Sequence, residues 1–127
     1  MAFVGEAVAV ATGGAIGAVM RYSVTALVTG WLPRGFPWGT LTVNVLGSLL
    51  MGVAFVLLVE RAMPGSGWRL FFGVGVIGAF TTFSTFSLDA VALYEAGAGL
   101  RAALYVVASV TTCLLATLAG ILITRSF

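Results

Sequence analysis

The chain has 127 residues, of which 61% are hydrophobic and only 8% are charged, whereas about 25% are charged in a typical soluble domain. A chain this short cannot cover so much apolar surface with its own polar residues, so lipid must cover it. The six basic residues are arginines scattered along the sequence, which excludes a clustered nucleic-acid-binding surface. With no histidine and one cysteine, Cys113, the chain also lacks an internal disulfide and the common zinc-ligand sets.

Four apolar segments are long enough to cross a bilayer. Three of them, 35–59, 70–88 and 102–124, contain no charged residue and approach or exceed the roughly 20 residues that a membrane helix needs. The first segment contains Arg21 near its far end, where a long side chain can reach the interface. No basic residue precedes it, so we interpret it as a retained helix rather than a signal peptide. The sequence predicts an all-α membrane protein with one domain, 1–127, and helices at about 3–31, 39–60, 68–95 and 100–124.

The predicted connections between these helices are short. They run from Leu32 to Trp38, from Arg61 to Gly67 with Pro64, and from Glu95 to Gly99. Proline and glycine in these segments are typical of turns. No domain outside the membrane fits between the helices.

The arginines give the chain almost no preferred orientation. Four crossings put Arg61, Arg69 and Arg125 on one side, and Arg21, Arg34 and Arg101 on or near the other. Because positive charge normally sets orientation, this balance predicts insertion in both directions and assembly as an antiparallel homodimer. The alternative is one fixed topology that another factor determines.

The second helix carries a polar stripe. Thr40, Asn44 and Ser48 recur every four residues and therefore share a face, and Gly47 beside them allows close packing. Polar groups in a membrane span indicate either function or helix contacts. The two N–H donors of a mid-span carboxamide favour an anion.

The third segment is a poor continuous helix. Gly73, Gly75 and Gly78 precede a run at 81–87 with five hydroxyl side chains and two phenylalanines, and Asp89 follows. Low helix propensity predicts a break between Gly78 and Thr82, and a broken helix presents carbonyls and N–H groups to an ion.

The three glycines of this segment also spell a dinucleotide-binding pattern, G-x-G-x-x-G. That function needs a preceding strand in a soluble βαβ unit. In a membrane span we expect such glycines to permit close helix contact, as do Gly13 and Gly17 in the first helix.

Phe83 and Phe86 lie three residues apart and face the same way in a regular helix. Hydroxyl residues surround them, which argues against a lipid-facing pair. Because an aromatic ring has a positive edge, the two rings can contact a small anion without trapping it.

The fourth helix places Tyr105, Ser109, Thr112 and Cys113 on one face. They are either part of a polar pathway or hydroxyls that bond back to the carbonyls of their own helix.

With three motifs in order, at 13–22, 39–48 and 78–87, the chain resembles the Fluc/CrcB-type fluoride channels, a family of small four-helix membrane proteins. The resemblance covers the whole chain. It implies an antiparallel homodimer with two fluoride pores, in which Asn44, Phe83 and Phe86 line the path and Ser109 continues it. It also implies a structural sodium ion bound by the backbone carbonyls of Gly78 and Thr81 from both subunits.

We also predict that neighbouring polar side chains belong to the pathway, namely Thr40, Thr82, Ser84 and Tyr105. Arg21 is predicted either to draw anions to the mouth or to pair with lipid phosphate. The acidic residue after the phenylalanines is usually glutamate in the family, whereas this chain has Asp89.

The predicted function is passive, fluoride-selective efflux across the cytoplasmic, or inner, membrane, which would reduce fluoride toxicity; the ion and the protective role come from the resemblance. No nucleotide-binding motif indicates an energy source. A proton-coupled exporter would need a carboxylate deep in a helix, and an accessory subunit would use the polar stripes only for packing. A hydrolase is disfavoured because no histidine or lysine can act as base.

Overall fold

The computed structural model describes residues 1–62 and 65–127. Four helical spans are long and apolar enough to cross a membrane: Ala2–Trp31, Trp38–Glu60, Ser66–Glu95 and Gly99–Arg125. We name the helices α1 (Ala2–Trp31), α2 (Trp38–Glu60), α3 (66–80), α4 (Phe83–Glu95) and α5 (Gly99–Arg125). The four predicted spans are confirmed, and Pro64, which we placed in the second connection, lies outside the described residues.

The surface of the bundle is apolar. Large hydrophobic side chains such as Leu104, Leu114 and Val19 are more than half exposed, and the largest fully buried side chains are those of Tyr105, Val43 and Val56. A bundle with so small a core and so apolar an exterior needs lipid as its solvent. The protein is a multi-pass membrane protein.

The spans pack as two pairs whose members run in the same direction. α1 packs on α3, and α2 packs on α5. A Cβ atom on Gly13 would lie 3.2 Å from the Cα of Gly75, and one on Gly120 would lie 3.3 Å from the Cα of Gly52. Backbone contact of this kind requires small residues.

The glycine pattern in the third segment therefore serves packing at one position. Gly75 contacts Gly13, as expected, and a side chain on Gly17 would collide with the Val76 carbonyl. Gly73 has nothing from the described residues within 4 Å of its virtual Cβ. The contacts of Gly13, Gly17 and Gly75 confirm the interpretation of these glycines as helix-packing residues.

The helix ends are closed by specific hydrogen bonds. At the end of α4, Gly97 adopts φ 82°, and the N–H groups of Gly97 and Ala98 donate to the carbonyls of Tyr94 and Leu93. These two hydrogen bonds form a Schellman motif, which favours glycine at the left-handed position. The motif turns the chain within three residues and positions α5 beside α4.

The third span contains two residues without helical geometry, Thr81 and Thr82, which we call the interruption. Its first part makes wide π-helical turns over Arg69–Ile77, and α3 ends at Phe80. Thr81 and Thr82 are extended, with φ/ψ of −90°/159° and −150°/119°, before α4 starts at Phe83. Both extended residues lie within the motif at 78–87, and their backbone groups form part of the site described below.

Candidate functional site

Asn44 pairs with the extended backbone between α3 and α4. The Thr82 N–H donates to Asn44 Oδ1 at 2.8 Å, and Asn44 Nδ2 donates to the Thr82 carbonyl at 3.0 Å. The carboxamide thus replaces the hydrogen bonds that a helix would provide, which a backbone segment at membrane depth requires. The second Nδ2 hydrogen is not used in this pairing.

Thr82 caps the N-terminus of α4. Its Oγ1 accepts a hydrogen bond from the Thr85 N–H at 3.2 Å and lies 3.4 Å from Ser84 Oγ. A threonine N-cap satisfies one of the free N–H groups in the first turn. The remaining N–H groups and the helix dipole make this end of α4 favourable for an anion.

Arg21 binds the other side of the interruption. Its Nε donates to the Ala79 carbonyl at 3.0 Å, near the C-terminal end of α3, where carbonyls lack helical partners and positive charge is favourable. Our two sequence interpretations, a pathway mouth or a lipid phosphate, did not include this carbonyl. The sequence could not indicate it, because Ala79 belongs to another helix.

An open groove of about 390 Å³ lies beside the interruption. It brings together Asn44, Thr82, Phe83, Phe86 and Ser109, which we predicted as pathway residues, with Thr81. The other lining residues are Gly47, Ser48, Met51, Val110, Cys113, Leu114 and Thr117. None of these lining residues from the described part of the chain is formally charged.

Ser109 offers an unused hydroxyl to this groove. The side chain is 5% exposed, and its Oγ has no hydrogen-bond partner within residues 1–62 and 65–127. Thr112, by contrast, is exposed and donates to the Ala108 carbonyl at 2.6 Å. Thr112 therefore fits the interpretation in which a hydroxyl bonds back to its own helix, whereas the Ser109 hydroxyl makes no such bond.

The two phenylalanines line the groove with different exposure. Phe83 is 78% exposed and Phe86 is 9% exposed. Their ring centroids are 5.5 Å apart, with the planes tilted by 49°. The pair therefore forms one aromatic wall with an exposed and a buried part.

Three predicted pathway residues do not line the groove. Tyr105 and Thr40 are buried, and Ser84 is exposed elsewhere. Tyr105 packs against Phe86 at 5.2 Å between centroids, and its hydroxyl donates to Asp89 Oδ2 at 3.2 Å. Tyr105 thus supports the aromatic wall and binds the Asp89 carboxylate.

Sequence reasoning missed Met51, Val110, Leu114 and Thr117. The Thr117 hydroxyl donates to the Ser48 carbonyl at 3.1 Å and joins α5 to α2. A signal existed for this residue, because Ser109, Cys113 and Thr117 recur every four residues and therefore share a face.

The carbonyls of Gly78 and Thr81 are open. Among the described residues, neither accepts a backbone N–H, and only the Thr81 hydroxyl approaches the Gly78 oxygen, at 3.4 Å. Unwound backbone carbonyls are the ligands that membrane proteins use for sodium. The two oxygens therefore fit the predicted cation.

The chain is similar in sequence to known proteins. The family model described as CrcB-like protein, Camphor Resistance (CrcB), matches residues 8–121. The chain is similar to proteins named fluoride-specific ion channel FluC. The relative from Magnetococcus marinus is 48% identical over 116 residues, with 91% of this chain and 94% of that protein covered. The relative from Erythrobacter litoralis is 49% identical over 124 residues, with 93% and 90% covered, and that from Hahella chejuensis is 49% identical over 116 residues, with 91% of each covered. The chain belongs to the CrcB-like family.

Proposed function

We propose that this protein is a passive, fluoride-selective channel that exports fluoride across the cytoplasmic, or inner, membrane. The observation that carries the proposal is a groove whose described lining is uncharged and in which the Ser109 hydroxyl, without a partner among residues 1–62 and 65–127, lies with Asn44, Phe83 and Phe86. The names of its relatives, fluoride-specific ion channels, support the same ion.

The groove provides neutral hydrogen-bond donors. Fluoride is small and strongly hydrated, so a selective pathway must replace its water without binding it too tightly. The Ser109 hydroxyl, the second Nδ2 hydrogen of Asn44 and the ring edges of the phenylalanines can do so. Since no arginine lines the groove in the part of the chain that the structure describes, no fixed positive charge from that part holds the anion there.

We interpret the interruption at Thr81 and Thr82 as a functional break in the third span. The N-terminus of α4 favours an anion, and the open Gly78 and Thr81 carbonyls would hold a sodium ion. Such a cation supplies positive potential close to the pathway. Each copy offers two of these oxygens, so two copies would share the cation.

A second copy of this chain in antiparallel orientation would complete the pathway. The groove is open along the surface of one copy, and Phe83 is 78% exposed beside it. The balanced arginines support dual insertion. A homodimer of this kind would contain two equivalent pores.

Transport would follow the fluoride gradient and the membrane potential, because the chain has no nucleotide-binding motif. In a cell with a negative interior this drives efflux and reduces fluoride toxicity. The activity is transport and includes no chemical step.

Ion efflux from liposomes that contain only this protein tests the proposal. We expect rapid fluoride efflux and little chloride efflux when a potassium ionophore lets K⁺ leave with the anion, so that no opposing membrane potential builds up. Liposomes without protein are the control for passive leak. Equal rates for the two halides, or no flux above the leak, contradict the proposed function.

A further inference from the structure

Two backbone N–H groups at the interruption are redirected to side chains. In a continuous α-helix, the Thr82 N–H would bind the Gly78 carbonyl and the Thr85 N–H would bind the Thr81 carbonyl. In the structure, the Thr82 N–H binds Asn44 Oδ1 at 2.8 Å, and the Thr85 N–H binds Thr82 Oγ1 at 3.2 Å. Each redirected N–H leaves one carbonyl without its helical donor.

We propose that Asn44 and Thr82 are positioning residues that hold the Gly78 and Thr81 carbonyls open for a monovalent cation. This inference rests on the sodium site that we proposed above, and it concerns how the Gly78 and Thr81 carbonyl oxygens become free to bind the cation. Without the two side-chain acceptors, an unpaired N–H at membrane depth is unfavourable. The N–H groups would therefore return to the carbonyls and close the helix.

Three of the neighbouring carbonyls are occupied. The Ile77 carbonyl accepts the Thr81 N–H at 3.2 Å, the Ala79 carbonyl accepts Arg21 Nε at 3.0 Å, and the Thr82 carbonyl accepts Asn44 Nδ2 at 3.0 Å. Occupied carbonyls thus lie on both sides of the Gly78 carbonyl and on the C-terminal side of the Thr81 carbonyl, whereas the Phe80 carbonyl accepts no hydrogen bond from the described residues. Arg21 contributes by engaging a carbonyl that would otherwise compete for the cation.

The two ends of the Asn44 carboxamide have separate roles in this scheme. Oδ1 accepts the Thr82 N–H and keeps the Gly78 carbonyl open, whereas Nδ2 binds the Thr82 carbonyl with one hydrogen and keeps the other for the groove. Asn44→Asp retains the acceptor but removes the donors. Asn44→Leu removes both.

The first test uses Thr82 and measures cation affinity without transport. Purified protein in detergent is heated at increasing NaCl, with N-methylglucamine chloride added to keep ionic strength constant. A bound cation raises the midpoint of unfolding. We expect Thr82→Ser to keep the wild-type sodium dependence. Thr82→Val should need at least about tenfold more sodium for the same rise in the unfolding midpoint, which is the usual loss of affinity when a residue that supports a metal ligand is removed.

Ser87→Ala is the matched control, because Ser87 lies on α4 and its hydroxyl, within the described residues, bonds only to the Phe83 carbonyl, at 3.0 Å. It should keep wild-type sodium dependence. A wild-type response in Thr82→Val, or an equal loss in Thr82→Ser, overturns the role of Thr82.

The second test separates positioning from the pathway. Asn44→Asp should retain or strengthen the sodium response while lowering fluoride flux, because its carboxylate still accepts the Thr82 N–H but repels an anion. Asn44→Leu should lose the sodium response. Equal loss of the response in both variants, or its retention in Asn44→Leu, overturns the role of Asn44.

The outcome also distinguishes this inference from the proposed function. If the unfolding midpoint of the wild-type protein does not respond to sodium, the positioning role is overturned. The liposome assay still tests the fluoride channel independently of that result. Loss of the response in Thr82→Val together with equal fluoride and chloride flux in the wild-type protein leaves the positioning role intact and contradicts the fluoride channel.

Discussion

Ser109 keeps a buried hydroxyl that stabilises nothing in the described residues. A buried polar group without a partner costs about 1–3 kcal/mol, and an alanine would avoid that cost. Thr112, one turn away, bonds its hydroxyl to its own helix instead. The Ser109 hydroxyl is therefore free to bond to a ligand in the groove.

Ser109→Ala should lower fluoride flux without reducing stability. We expect a loss of about tenfold or more, since a hydrogen bond to a charged group contributes about 1.5–3 kcal/mol, and an unchanged or raised thermal midpoint. Liposome flux and unfolding in detergent measure the two effects. Thr112→Ala is the control and should conduct at the wild-type rate; a wild-type rate in Ser109→Ala would remove the hydroxyl from the pathway.

Phe83→Ile should lower fluoride flux and leave the oligomeric state unchanged, because isoleucine fills space but has no positive ring edge. Liposome flux and size-exclusion chromatography are the measurements. Phe3 is also 78% exposed but lies at the start of α1, so Phe3→Ile is the matched control. If both variants conduct equally well, the aromatic ring is not a contact of the ion.

For single residues, the sequence predicted which side chains line the groove better than it predicted their hydrogen bonds. Spacing and the family resemblance predicted Asn44, Phe83 and Ser109 as pathway residues, and all three line the groove. They could not predict the bond of Arg21 to Ala79 or of Tyr105 to Asp89. Periodicity assigns a residue to a face of its own helix but does not identify the helix opposite.

Among the helices, α2 and α5 approach with their backbones in contact at Gly52 and Gly120. This pair also carries Asn44 and Ser109, which both line the groove. The sequence indicated four spans from their apolar runs, but it did not predict which spans pair, because small residues occur on every helix.

Gly120→Val should destabilise the protein by about 1–3 kcal/mol, the usual cost of an overpacked contact, because its side chain would collide with the Leu49 carbonyl. The measurement is the thermal or detergent midpoint of unfolding. Gly14→Val is the control, since nothing in the described residues lies within 4 Å of that position. Equal midpoints for the two variants would show that the close approach is not needed.

Across the whole molecule, positive charge near the two ends of the bundle is nearly balanced. Arg21 is bonded to the Ala79 carbonyl, and four crossings put three of the other arginines on one side, Arg61, Arg69 and Arg125, and two on the other, Arg34 and Arg101. We expect lysines added to the connection at 96–98 to impose one orientation, and lysines added near the C-terminus to impose the other. Each variant alone should give little fluoride flux, because an antiparallel partner is missing. The two expressed together should restore it.

Flux from cells with one or both variants measures this effect, and protease access to a terminal tag reports orientation. Lysine pairs placed at both ends of one chain are the control and should preserve dual insertion. Full activity of a single variant with one fixed orientation would exclude the antiparallel arrangement.

The uncharged lining of the groove has one further consequence. Among the described lining residues no carboxylate, imidazole or amine occurs, and Asp89 lies outside the lining, bonded to Tyr105. Fluoride enters cells most readily from acidic surroundings, as the neutral acid. Because none of these lining groups gains a proton in acidic medium, the charge of the groove stays the same there. Acidic medium is also the condition in which fluoride efflux is needed most.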